Sequence, residues 1–239
     1  MVLEVRPSVL LYDWDNTLVD AWAGVAAALN AAFTAFGKPT WTVAETRARV
    51  RVSLRDSFPT MFGANWERAA ELFYATLARA HLAHVTPLPG AADVLAIGAA
   101  WPQAVVSNKT GRFLRAEVEH LGWSRRFRSV VGAGDAASDK PSADPLLLAL
   151  AAAKRPADRS VWFCGDTGTD MQAARAAGVT AVLIGDAADD GGPSVVQPDL
   201  MFPDCHALAA HLCTLACERS ADNISVPPCD AAGQRPGLN

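Results

Sequence analysis

The stretch Val9-Leu10-Leu11-Tyr12-Asp13-Trp14-Asp15-Asn16-Thr17-Leu18-Val19-Asp20 decides how this chain is read. It opens as an apolar run and delivers two carboxylates, two residues apart, where that run stops. Side chains two apart in a strand share a face. A break after Asp15 then turns both groups toward one pocket. Two acids held together repel, so a site that keeps both holds a cation or shares a proton. One carboxylate can attack an electrophile while its neighbour moves protons. An ordinary strand end with acids in a solvated turn shows the same short pattern, and the rest of the chain decides between the two.

Working outward, Val9–Tyr12, Ala104–Val106, Val130–Val131, Val161–Cys164 and Ala181–Ile184 are short apolar runs. Ala- and Leu-rich segments with helical spacing separate most of them. This alternation predicts an α/β fold, a Rossmann-like parallel sheet with helices on both faces. Ligands of such sheets bind beyond the carboxyl ends of the strands. Asp13, Ser107 and Asp166 each follow an apolar run, which puts them on one rim.

The stretch from Asp20 to Pro87 breaks the alternation. Ala21–Phe36, Val43–Val50 and Trp66–Leu82 read as helices, with Gly37-Lys38-Pro39-Thr40 as a stop and turn. No convincing strand is found there. Gly90 opens a further helix over Ala91–Ala100. After Ile184 the signal weakens: Asp186–Pro198 reads as a loop, Leu200–Phe202 as a last strand and His206–Glu218 as a last helix. Residues 219–239 are polar, Pro- and Gly-bearing and aperiodic, and are expected to be disordered.

Three later segments add chemistry. They are Ala104-Val105-Val106-Ser107-Asn108-Lys109, then Asp139-Lys140-Pro141 before a helical Leu-rich run, then Val161-Trp162-Phe163-Cys164-Gly165-Asp166-Thr167-Gly168-Thr169-Asp170. With the first stretch they resemble, in order, the four motifs of the haloacid dehalogenase-like hydrolase superfamily. Asp13, Asp15 and Thr17 fit its Asp-x-Asp-x-Thr, Ser107 its strand-end hydroxyl, Lys140 its lysine, and Gly165, Asp166 and Asp170 its Gly-Asp-x-x-x-Asp. The resemblance covers Val9 to Gly185. Within the superfamily the chain is similar to phosphoglycolate phosphatase-like members, through Gly165–Asp170 and the following Ala173-Ala174-Arg175-Ala176-Ala177-Gly178.

The resemblance implies a core of residues 1–19 and 88–218 and a small all-helical cap of residues 20–87 inserted after the first strand. It also implies a Mg2+-dependent phosphatase of small phosphorylated metabolites. Asp13 would be the nucleophile, and Asp15 would protonate the leaving oxygen and later activate water. Ser107 and Lys140 would bind the phosphoryl group, with the backbone N–H groups of Trp14 and Asn108 as further donors. Asp13, Asp166, Asp170 and the backbone carbonyl of Asp15 would serve the metal. The motifs leave open a phosphomutase of the β-phosphoglucomutase type and a non-catalytic phosphoacceptor or binding scaffold. Asp15 argues against the dehalogenases, which lack an acid there. Asn16 stands where many relatives have Gly, and Asn tolerates left-handed backbone. The Trp14 side chain should point away from the pocket.

The cap run Arg47–Pro59 carries four arginines. A solvated helix face explains such a run. The sharper alternative is that Arg51 or Arg55 binds an anionic end of the substrate. His81 and His84 read as helix surface or interface residues, and His120 as a helix end.

Composition sets the outer bounds. With 239 residues, 51% hydrophobic and 19% charged, there is room for a sizeable core and one or two domains. A net charge of -4 gives no footprint for nucleic acid. No apolar run approaches a bilayer span, and Met1–Arg6 lacks the features of a signal peptide. Five scattered cysteines argue for a reducing compartment, so a cytoplasmic protein is expected. Cys213 and Cys217, four apart, are expected to pack in a core rather than bind metal. Oligomeric state is not legible.

Overall fold

Four consecutive apolar residues make β1 (Val9–Tyr12), and all four are buried. Unbroken burial requires cover on both faces, and the side chains divide by period two. Leu10 and Tyr12 enter one apolar cluster, Val9 and Leu11 another. The computed structural model describes residues 6–50 and 53–223 of the chain.

In chain order the elements after β1 are β2 (Val19–Asp20), α1 (Trp22–Ala35), α2 (Val43–Arg49), α3 (Leu54–Phe62), α4 (Trp66–His84) and β3 (Thr86–Pro87). Then come α5 (Ala91–Ile97), β4 (Gln103–Thr110), α6 (Gly111–His120), β5 (Ser129–Ala133) and α7 (Asp144–Ala153). The chain continues through β6 (Val161–Gly165), α8 (Gly168–Ala177), β7 (Thr180–Ile184), α9 (Pro193–Val196), β8 (Leu200–Phe202) and α10 (Cys205–Asn223).

Six strands form one parallel sheet in the order β5-β4-β1-β6-β7-β8. The expected parallel α/β fold is therefore present. Helices α5 and α10 cover the Leu10–Tyr12 face, and α7 and α8 the opposite face. The chain leaves β1 toward β4 and β5, then crosses back to β6 on the other side of β1. That reversal opens a crevice at the carboxyl ends of β1, β4 and β6.

Helices α1–α4 lie between β2 and β3 and form the helical cap. The two short strands pair antiparallel, Val19 with Pro87 and Asp20 with Thr86, tying together both crossings between core and cap. The cap has its own aromatic centre of Phe33, Phe58, Phe62 and Phe73, and α6 contributes Phe113 to it. Thr42 and Glu45 close the start of α2 with a capping box.

Several elements differ from expectation. The β2–β3 ribbon is two residues long on each side, too short for periodicity to reveal. Helix α3, which contains Pro59, is a separate element that begins inside the arginine-bearing run. Strand β4 continues past Val106 to Thr110, but its regular pairing with β5 breaks between those residues. One helical turn, α9, sits inside the expected loop over Asp186–Pro198. Helix α10 extends beyond Glu218 to Asn223, and residues 224–239 lie outside the described residues. Cys213 and Cys217 are exposed on α10 and fill no core. Among the described residues no helix is long and apolar enough to cross a membrane.

Candidate active site

Asp13 follows the last residue of β1, and its backbone N–H donates to Cys164 O of β6 at 2.8 Å. The chain then turns sharply. The Trp14 carbonyl accepts from the N–H groups of Thr17, Leu18 and Val19, and Asn16 takes a left-handed φ of 61°. Asn fills that position as expected. Asn16 Nδ2 donates to Asp166 Oδ2 at 2.6 Å, and Thr17 Oγ1 to Asp166 Oδ1 at 3.1 Å. The turn after β1 thus orients the acid that follows β6.

Asp170 is the third residue of α8 and takes part in its capping box: the backbone N–H and Oγ1 of Thr167 both donate to Asp170 Oδ2. Asp166 precedes the helix, so the two acids do not meet by one-turn helical spacing. The helix start folds Asp170 back over β6, and Gly165 makes room for it. A Cβ at Gly165 would come within 2.4 Å of the Asp170 side chain.

Lys140 Nζ donates to Asp13 Oδ1 and to Asp170 Oδ1, each at 2.7 Å, with only 3% of its side chain exposed. One oxygen from each of Asp13, Asp166 and Asp170 lies within 4.8 Å of the others. Burial works against the Lys140 ammonium, but Asp13 and Asp170 outweigh it and hold its pKa above the ordinary lysine value. Burial also pushes Asp13 up to about 6; Lys140 opposes this and Asp170 adds to it. Asp166 rises further, to about 8, through burial first and then the charges of Asp170 and Asp13. Asp13 and Asp170 are buried and Asp166 is half-buried, so three crowded acids face one lysine and carry surplus negative charge when ionised. Oriented carboxylate oxygens suit a hard divalent cation such as Mg2+.

Asp15 belongs to a second cluster. Its Oδ1 accepts from Lys109 Nζ at 2.7 Å, and Lys109 Nζ also donates to Glu117 Oε2 at 2.6 Å. Trp14 Nε1 donates to the same Glu117 oxygen at 2.7 Å, and His81 Nδ1 lies 3.1 Å from Glu117 Oε1. The Trp14 side chain accordingly points away from the crevice. Burial raises the pKa of Asp15, with Lys109 pulling against it.

Ser107 sits where β4 leaves regular pairing, and its Oγ accepts from the Lys109 N–H at 3.2 Å. Asn108 has a role that the sequence did not suggest. Its side chain donates to Lys140 O and accepts from Lys140 N, both at 2.9 Å, and so fixes the lysine's backbone. The Trp14 N–H is directed at the Asp13 carboxylate.

A cavity of about 570 Å³ lies between this rim and the cap. Asp13, Asp15, Ser107, Asn108, Lys140, Asp166 and Asp170 line its floor. The cap side supplies Trp22, Val25, Phe73, Tyr74 and Leu77, with Arg47 as a cation. Trp22 Nε1 is buried without a hydrogen-bond partner among the described residues. Of the two arginines singled out in the sequence, Arg51 lies outside the described residues, and Arg55 lies in the first turn of α3. Arg47, from the same run, was not singled out. His81 is an interface residue, buried against α6, and His120 ends α6 as expected.

A sequence model described as haloacid dehalogenase-like hydrolase matches residues 10–184. The chain belongs to that family. It is 28% identical over 244 residues to a phosphoglycolate phosphatase of Pseudomonas syringae, covering 92% of this chain and 88% of the relative. A phosphoglycolate phosphatase of Chromobacterium violaceum is 32% identical over 187 residues, 73% of this chain and 83% of the relative. A haloacid dehalogenase-like hydrolase structure from Streptococcus pneumoniae superposes with a TM-score of 0.75 at 22% identity, covering 86% of this chain and 98% of that one. The likeness within the haloacid dehalogenase-like family is thus to phosphoglycolate phosphatases, and the enzyme is a phosphoric monoester hydrolase.

Proposed function

We propose that the enzyme hydrolyses small phosphorylated metabolites in the cytoplasm, with Mg2+ and through an aspartyl-phosphate on Asp13. The observation that carries this reading is the close set of Asp13, Asp166 and Asp170 beside the buried Lys140. Asp13, Asp166, Asp170 and the backbone carbonyl of Asp15 would hold the metal. When bound, Mg2+ would neutralise negative charge between the carboxylates and the phosphoryl group.

In this reading Asp13 attacks phosphorus, and the bond from phosphorus to the leaving oxygen breaks. Asp15 gives its proton to that oxygen. It then takes a proton from a water that attacks the aspartyl-phosphate, releasing phosphate and restoring Asp13. Ser107 donates to a phosphoryl oxygen, and Lys140 balances charge on the nucleophile and phosphoryl group. The backbone N–H groups of Trp14 and Asn108 are further donors.

Residues 1–19 and 88–218 form the catalytic domain in this account, and residues 20–87 the cap that selects the leaving group. The unpartnered Trp22 N–H and the Arg47 guanidinium supply donors for an acceptor on that group. The names of the relatives make 2-phosphoglycolate the first compound to test. The test is phosphate release from a panel of phosphorylated metabolites, with chelator and with Mg2+. The reading predicts no release in chelator and recovery with Mg2+; undiminished release in excess chelator contradicts it.

A further inference from the structure

Glu117 is fully buried on α6, and no step of the proposed reaction uses it. Its two oxygens face three donor-bearing side chains from three elements. Lys109 comes from β4, Trp14 from the turn after β1, and His81 from cap helix α4. Trp14 is held in turn by an edge-to-face contact with Trp123, ring centres 5.8 Å apart. His81 stands edge-on to Phe113 of α6 at 5.0 Å. A carboxylate with its oxygens engaged in this way is a fixed post.

A lysine has a long flexible stem and would by itself follow whichever acid it binds. Lys109 cannot, because Glu117 anchors its ammonium. Its remaining contact is the 2.7 Å bond to Asp15 Oδ1. A continuous chain therefore runs from cap helix α4 through His81, Glu117 and Lys109 to Asp15. Glu117 and His81 do not line the cavity, so they act on substrate only through other residues.

We propose that Glu117 is a positioning residue: acting through Lys109, it holds the Asp15 carboxyl where it can protonate the leaving oxygen, and His81 makes that hold depend on the seating of cap helix α4. This rests on the reading of Asp15 as the proton donor. The sensitive step is the first one. The phosphorus–oxygen bond breaks, its electron pair stays on the leaving oxygen, and an alkoxide needs the Asp15 proton. A nitrophenolate leaves without it.

The test is single-turnover phosphorylation, enzyme in excess, with 2-phosphoglycolate and with p-nitrophenyl phosphate. Glu117→Gln keeps the shape and removes the charge that anchors Lys109. It should slow the alkyl ester by more than about tenfold. Release of nitrophenol should stay within about threefold of wild type, and KM for both esters should move little. His81→Leu removes the cap's contact and should slow the alkyl ester by about threefold while nitrophenol release stays within about 1.5-fold of wild type. It also carries the test if Glu117→Gln fails to fold. Equal losses on the two esters, or no loss on either, in the variants that fold overturn the proposal. Wild-type turnover of p-nitrophenyl phosphate is the control. Its absence overturns the reading of the site and this proposal with it; its presence alongside equal losses overturns the proposal alone.

Discussion

The site contains two buried lysines, each bridging two carboxylates, and they are built for different purposes. Lys140 joins Asp13 and Asp170, and a third acid, Asp166, stands within reach of both. Lys109 joins Asp15 and Glu117, and Trp14 and His81 close off the far side. The first cluster carries three acids for one lysine and opens to the cavity. The second carries two acids for one lysine, and its remaining valences are met by neutral donors or by histidine. Surplus buried charge calls for a cation; nearly balanced charge with filled hydrogen bonds fixes geometry. One cluster is therefore suited to metal and phosphoryl group, the other to aiming a proton donor.

The change expected to matter most is Lys140→Met. It leaves the three crowded acids without a cation, which should cost about 3–5 kcal/mol in chelated protein and lower activity by roughly a thousandfold or more. Mg2+ should restore part of that stability. The same change at Lys109 should not be rescued by Mg2+, because among the described residues no third acid joins Asp15 and Glu117 to complete a metal site. Thermal melts of both variants with chelator and with Mg2+ check this, and equal rescue of the two would erase the distinction between the clusters.

Next comes Asp15→Asn. The metal contact assigned to this residue is its backbone carbonyl, so Mg2+ binding should survive. Turnover should fall by about 10²–10⁴, since Asp15 moves a proton in both steps of the proposed reaction. Calorimetric titration of Mg2+ beside steady-state rates separates the two effects. Loss of Mg2+ binding would move Asp15 into the first cluster.

The third expectation concerns pH. Asp13 is held at about 6 and Asp166 at about 8, against an ordinary value of 3.8. Across that window the folded, chelated protein binds more protons than the unfolded chain, so stability falls as pH rises. The melting temperature in chelator should be lower at about pH 8 than at about pH 5, and Mg2+ should raise it more at the higher pH. Asp166→Asn should flatten the trend. A melting temperature that climbs with pH in chelator would show that the acids are not crowded as described.

The smallest effect is expected at the cap. Arg47 lines the cavity but is exposed, so its charge is screened. Arg47→Ala should raise KM for 2-phosphoglycolate by about two- to fivefold and leave p-nitrophenyl phosphate unaffected. A matching loss on both esters would place Arg47 in the support of the floor.

The first cluster was legible in the sequence and the second was not, for a physical reason. Asp13, Ser107, Lys140, Asp166 and Asp170 each sit beside a strand end or helix start, and those ends leave marks: an apolar run that stops, or an acid and a hydroxyl where a helix opens. Asp15 was legible too, but its partners were not. Lys109 meets it across 94 residues, and His81 meets Glu117 across 36. Each sits in an ordinary helical or strand pattern that gives no sign of a buried charge. Asn108 was assigned its backbone donor but not its side chain's grip on Lys140, which depends on how the end of β4 lies against the loop before α7. The sheet was readable because apolar runs alternate with helices. The β2–β3 ribbon and α9 were missed because neither spans enough residues to show a period.

The account stands most directly on which atom takes the phosphoryl group. Asp15→Asn protein, incubated with Mg2+ and p-nitrophenyl phosphate or another aryl phosphate whose leaving group needs no proton, and then acid-quenched, should carry one phosphoryl group per chain. Peptide mapping by mass spectrometry should place it on Asp13. Phosphate on any other residue, or protein that turns over these esters without ever carrying phosphate, would contradict the account.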